Sequence, residues 1–89
     1  MKYIAKFSIK EENFNAAVAR FTQNPPELPK GVTMLGRWHI MGSGDGVALF
    51  EADDPVAITR YVLAWADIVD QVIHPVVVDE EIGLALSQM

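Results

Sequence analysis

Apolar and polar residues alternate from Lys2 to Ile9. Tyr3, Ala5, Phe7 and Ile9 fall on one side, and Lys2, Lys6 and Ser8, joined by Ile4, on the other, the period-two signature of a strand. From Glu11 or Glu12 to Gln23 the period lengthens, and Phe14, Ala17, Val18 and Phe21 recur at helical spacing. This helix is expected to stop near Asn24, because Pro25 and Pro26 cannot continue it. The loop through Glu27, Leu28, Pro29, Lys30 and Gly31 is then short and stiff. Val32–Met41 and Val47–Ala52 read as the two strands of a hairpin closed by the turn from Gly42 to Gly46. Asp54 followed by Pro55 marks a helix start, the aspartate capping free amides and the proline occupying the first turn. That helix runs to about Trp65, with Ile58, Tyr61, Val62 and Trp65 as its inward stripe. The β-branched run Val69–Val78 reads as a fourth strand, placed at a sheet edge by Pro75. Asp79–Met89, with a capping aspartate, two glutamates in its first turn and Ile82, Ala85, Leu86 and Met89 at helical spacing, predicts a short amphipathic tail helix. At that length, and with Gly83 inside it, such a helix needs a surface to dock on, either its own domain or a second subunit.

The order strand, helix, strand, strand, helix, strand predicts an α+β, ferredoxin-like βαββαβ sandwich. Its antiparallel sheet has strand order 4-1-3-2 and both main helices on one face. With 89 residues, 1–89 form one domain. Within the hairpin, setting Met41 opposite Val47 pairs Ile40 with Ala48, Trp38 with Phe50 and Gly36 with Ala52 on one apolar face. Arg37 with Glu51 and His39 with Leu49 then share the other. A one-residue slip would move Trp38 out of the apolar set, so this register separates the two environments best. The Trp38 face is therefore expected under the helices. The face of Arg37, His39, Met41, Val47, Leu49 and Glu51 is too apolar to be left to water. Two such sheets packed face to face would cover it, making a dimeric α/β barrel with an enclosed cleft.

Composition narrows the function classes. The chain is 51% hydrophobic, more than so small a monomer needs to bury, which again points to self-association. A net charge of −5, from 7 basic and 12 acidic residues, repels phosphate backbones and argues against nucleic acid as a partner. Lys2, Lys6 and Lys10 read as a solvated strand edge. Without cysteine, disulfides, thiolate catalysis and zinc-cysteine sites are excluded. No stretch approaches the ~20 apolar residues of a membrane helix, and Met1 to Ile9 do not form a signal peptide, so a cytoplasmic protein is expected.

The candidate catalytic pair is His39 with Glu51, which the register above places side by side in the cleft with Arg37. A histidine beside a carboxylate can serve as a general base. The plainer reading is an Arg37–Glu51 cross-strand ion pair with His39 filling space beside it. Arg37, Trp38, His39, Met41, Leu49, Glu51, Trp65 and His74 are the candidate ligand-binding set. Trp38 and Trp65, with Tyr61, form either an aromatic wall or ordinary core. His39, His74 and Asp70 show no metal-ligand spacing, so neither a metal nor a cofactor is expected. The loop of Gly42, Gly44 and Gly46 opens onto a strand and not a helix, which makes it a hairpin turn and no phosphate cradle.

Four segments together carry a resemblance. They are the proline-rich loop before Gly31, GRWHIMGSG at Gly36 to Gly44, FEADDP at Phe50 to Pro55, and WADIVDQVIHPVV at Trp65 to Val77. Over nearly its whole length the chain is similar to the short bacterial proteins grouped as domain of unknown function 3303, within the dimeric α/β barrel or ferredoxin-like superfamily. The resemblance implies the fold and dimerisation but no reaction. Two functions stay open at this point. One is a homodimeric protein that binds a small, partly apolar molecule in a cleft lined by the sheet. The other is a cofactor-independent monooxygenase- or isomerase-like enzyme using His39 and Glu51, by analogy with the wider superfamily.

Overall fold

A computed structural model of the chain describes residues 1–23 and 28–89. Its elements are β1 (Lys2–Ile9), a single 3-10 turn (Glu11–Asn13) leading into α1 (Phe14–Gln23), β2 (Val32–His39), β3 (Asp45–Ala52), α2 (Pro55–Trp65), β4 (Val69–Val76) and α3 (Asp79–Ser87). The strands form one antiparallel sheet in the order β2-β3-β1-β4, which is the expected 4-1-3-2 order read from the other edge. Pro75 lies in β4, an edge strand, where its missing N–H costs no ladder bond. The helix stop expected at Pro25 and Pro26 lies outside the described residues. Among the described residues no helix is long and apolar enough to cross a membrane.

Local chemistry explains most boundaries. The Asp54 carboxylate accepts a hydrogen bond from the Ala57 amide at 2.8 Å, and Pro55 opens α2 behind it. The hairpin turns earlier than the glycines suggest: the Ile40 amide donates to the Asp45 carbonyl at 2.9 Å, and Gly42 carries the left-handed backbone of the turn at φ 79°. Asp79 is not the cap of α3. Val78 holds that position, and its amide donates to the Glu81 carboxylate at 3.1 Å.

The hairpin register departs from expectation, and the departure reassigns β2. Trp38 pairs with Val47, Arg37 with Ala48 and His39 with Gly46, while further along Met34 pairs with Phe50 and Val32 with Ala52. Between Met34 and Gly36 the ladder shifts by one residue, a β-bulge at Leu35. An extra residue on one strand reverses the side to which all later side chains point. Val32 and Met34 therefore lie on the helix face, but beyond the bulge it is Arg37 and His39 that lie there. Trp38 stands 58% exposed on the open face. Its ring lies over Gly36, in the space a Cβ would need, so that glycine makes room for the indole. Ala48, Phe50 and Ala52 of β3 do face the helices, as the pattern predicts.

The two halves of the helix face are filled differently. Near the start of β1, the core of Tyr3, Ala5, Val32, Ala48, Phe50 and Ala52 is closed by Ala57 and Ile58 of α2, with Tyr61 tilted against Phe50 at 4.7 Å between ring centres. At the other end of the sheet α1 covers the strands more loosely: among its described side chains only Ala17 is buried. Every residue of α3 is exposed, and the molecule measures 49 × 29 × 17 Å, so this helix does not fold onto its own sheet.

Candidate functional site

The loosely covered end of the sandwich holds an open-sided cavity of about 230 Å³. Its floor is the helix face of the sheet: Phe7 and Ile9 from β1, Ala48 from β3, and Val69 and Gln71 from β4. The roof is the apolar stripe of α1, in which Phe14, Val18 and Phe21 remain 48%, 44% and 41% exposed because they span the hollow instead of meeting the sheet. Tyr61 and Trp65 of α2 form the inner wall, and Arg37 and His39 of β2 close the side. Strand pairing sets two rows across the floor, Gln71–Phe7–Gly46–His39 and Ile73–Ala5–Ala48–Arg37. The cavity reaches the second row at Ala48, whose small side chain leaves room beside Arg37.

The Arg37 guanidinium stacks over the Phe21 ring at 4.2 Å, and the Phe7 and His39 rings meet edge to face at 5.6 Å. No carboxylate among the described residues forms an ion pair with Arg37. Burial pushes the Tyr61 phenol above its ordinary pKa, and the nearby charge of Arg37 opposes part of that rise. Tyr61 therefore stays protonated across the physiological range, a neutral hydroxyl facing a cation.

Of the residues singled out in the sequence, Arg37, His39, Trp65 and Tyr61 meet at this cavity. The others do not. Trp38 and Leu49 lie on the open face, Met41 lies exposed in the turn, and His74 stands on the open face of β4 opposite Ile4. The expected His39–Glu51 couple is not formed, because the Leu35 bulge carries His39 to the helix face and leaves Glu51 on the open one. Glu51 instead accepts a 2.7 Å hydrogen bond from the Met1 ammonium and pairs with Lys2 at 3.3 Å. These two cations, the ammonium first, hold its carboxyl below the usual range. The Arg37–Glu51 ion pair of the plainer reading is absent for the same geometric reason. His39 and His74 occupy opposite faces as well as opposite edges, so one subunit cannot join them. Among the described residues no cluster of three or more metal-ligating side chains occurs.

Phe7, Phe14, Phe21 and Gln71 line the cavity without having been singled out as ligand-binding residues. Their spacing marks an inward face, and nothing in a spacing distinguishes a stripe that roofs a hollow from one that fills a core.

The roof is pinned at one point outside the cavity. Arg20 of α1 makes a two-pronged ion pair with Asp67, just beyond α2, at 2.9 and 2.6 Å, and its guanidinium lies 5.4 Å from the Trp65 ring centre. The bond to Arg20 holds the Asp67 carboxyl below the ordinary aspartate range. A depressed folded-state pKa means that the tie is present above the unfolded value of about 3.9 and is lost as pH falls through the lower folded value. Asp67→Asn is expected to reproduce that acid state at neutral pH. Amide exchange in α1 should accelerate while exchange in β1 and β3 is unchanged; equal protection of α1 in the two proteins would show that this tie does not hold the roof.

No curated protein matches the chain. The family model for a domain of unknown function, DUF3303, matches residues 1–89, the whole of the sequence, and the chain belongs to that family.

Proposed function

We propose that this protein is a homodimer that binds a small, partly apolar molecule in the cavity between the sheet and α1. The observation that carries the reading is the uneven filling of the sandwich. One half is packed to a closed core, while the other is hollow, lined by aromatic and aliphatic side chains with a few polar groups at its side. That is the usual make-up of a small-molecule site. At about 230 Å³ the hollow is below the ~300–1,000 Å³ of sites for drug-sized ligands, which favours a compact ligand. The acid–base couple required by the enzymatic alternative is not assembled, so binding is the better supported function.

Dimerisation is supported by the surface that the bulge creates. Turning Trp38 outward adds it to Leu35, Ile40 and Val72 as large exposed apolar side chains, with Ile4, Val47, Leu49 and Val76 half-buried among them. Four strands of eight residues, at ~4.8 Å between strands and ~3.3 Å per residue, present roughly 500 Å² in projection. Two such faces give about 1,000 Å², the lower bound for a specific interface. In this reading α3, with Ile82, Leu84 and Leu86 exposed, supplies the remainder by reaching across to the partner.

Native mass spectrometry of protein purified without added ligand tests both halves. A species at twice 9.8 kDa carrying a reproducible extra mass is expected. Trp38→Glu combined with Val72→Glu should convert it to monomer. A bare monomer in the wild-type protein would overturn the dimer, and a ligand-free species that takes up no apolar probe would overturn the binding site.

A further inference from the structure

The cavity is apolar except for Gln71 at the β4 edge and a group of polar side chains at the β2 side, and there its charge has one sign. Among the described residues no acidic side chain lines the hollow; the titratable groups that do are Arg37, His39 and Tyr61. Arg37 is half-buried against the Phe21 ring and, among the described residues, has no carboxylate to neutralise it. A cation held at the edge of an apolar cavity, near a protonated phenol, is an anion site whose counter-charge no described residue supplies. The floor gives the site a direction. From Arg37 the floor continues over Ala48, which leaves space, and the neighbouring row runs from His39 past Phe7 to Gln71 at the far edge. Four strands at ~4.8 Å spacing put these two ends roughly 14 Å apart.

We propose that the ligand of this cavity is a small organic acid, an apolar body of compact size bearing one carboxylate. The carboxylate is received by the Arg37 guanidinium at the β2 side, and the body lies over Ala48 and Phe7 under the aromatic roof of α1. The proposal rests on the small-molecule reading above and names the class of ligand. Two features make it specific. The guanidinium fork matches the two oxygens of a carboxylate, and a chamber with one permanent cation and walls of Phe7, Phe14 and Phe21 does not accommodate a dianion or a sugar.

Matched probes test it: octanoate against octanamide, and 4-phenylbutyrate against its amide, each titrated into the intact protein and followed by calorimetry and backbone amide shifts. The acids are expected to bind at least tenfold more tightly than the amides, with shifts confined to the residues that line the cavity, Phe7 and Ala48 of its floor included. In Arg37→Gln the acid should fall to the affinity of its amide, and Arg37→Lys, which keeps the charge without the fork, should lie between. Ala48→Leu, which fills the space beside Arg37 but keeps its charge, should abolish binding of the acids, an effect that attraction to an exposed arginine would not show. If Arg37→Gln does not fold, the contrast between acid and amide in the wild-type protein and the Ala48→Leu result decide the matter alone. Equal affinity for acid and amide overturns the organic-acid proposal and leaves the cavity as a neutral apolar site. Failure of all four probes to bind at millimolar concentration overturns the small-molecule reading as well.

Discussion

Replacing Phe50 by alanine is expected to cost about 3–5 kcal/mol, the usual range for deleting a large aromatic side chain from a closed core. Phe50 is 0% exposed, sits at the centre of the helix face on β3 and packs on Tyr61 at 4.7 Å between ring centres. Its neighbours cannot collapse into the gap, since Ala48 and Ala52 flank it on the same strand and Ala57 approaches from α2. An 89-residue domain has on the order of 4–13 kcal/mol in total, so the variant loses a large share of its stability. Urea unfolding of the two proteins at equal protomer concentration measures the difference, and the concentration must match because association stabilises the folded state by mass action. A change under about 1 kcal/mol would mean that the packed half of the sandwich is not the centre of stability.

The second large effect is expected at Gly46, for the opposite reason. A Cβ there would overlap the tip of the Phe7 ring and stand 2.5 Å from the Trp38 carbonyl oxygen. Phe7 could swing aside, but the carbonyl belongs to the neighbouring strand and can move only if the β2–β3 ladder opens. Gly46→Ala is thus an overpacking substitution in a site where backbone is the obstacle, and the expected cost is about 3 kcal/mol, at the upper end of the usual 1–3 kcal/mol. The same shift would disturb His39, paired with Gly46 and in edge-to-face contact with Phe7, so the variant should also bind any cavity ligand more weakly. Gly36→Ala is the internal comparison. Its Cβ meets only the exposed Trp38 ring, which can move into solvent, so its cost should be smaller. Equal losses for the two glycines would indicate that the indole, and not the ladder, resists the added carbon.

How much of this was legible in the residues can be judged at β2. Strand and helix periods, the Asp54–Pro55 cap and the edge placement of Pro75 depend on chemistry within a few residues of each other, and they located the secondary elements and the order of the sheet. The two faces of β1 and β3 follow from the same alternation and were read correctly. The site was legible only in its parts: Arg37, His39 and Trp65 were singled out, but with Glu51 as the supposed partner of His39. Glu51 lies on the other face, held by Lys2 and the Met1 ammonium.

The sequence by itself determined the α+β architecture, its strand order and the two faces of β1 and β3, because these depend on side chains repeating at fixed spacing. Only the tertiary structure decided which side of β2 is which. One bulged residue, Leu35, reverses the direction of everything that follows it in that strand, turning Trp38 outward and Arg37 and His39 inward. The alternation of residue types is the same before and after such a reversal, since a bulge adds a residue without changing the pattern. Whether a stripe closes a core or roofs a hollow is likewise a matter of distance between elements, and α1 stands far enough from the sheet to leave the cavity that Arg37 faces.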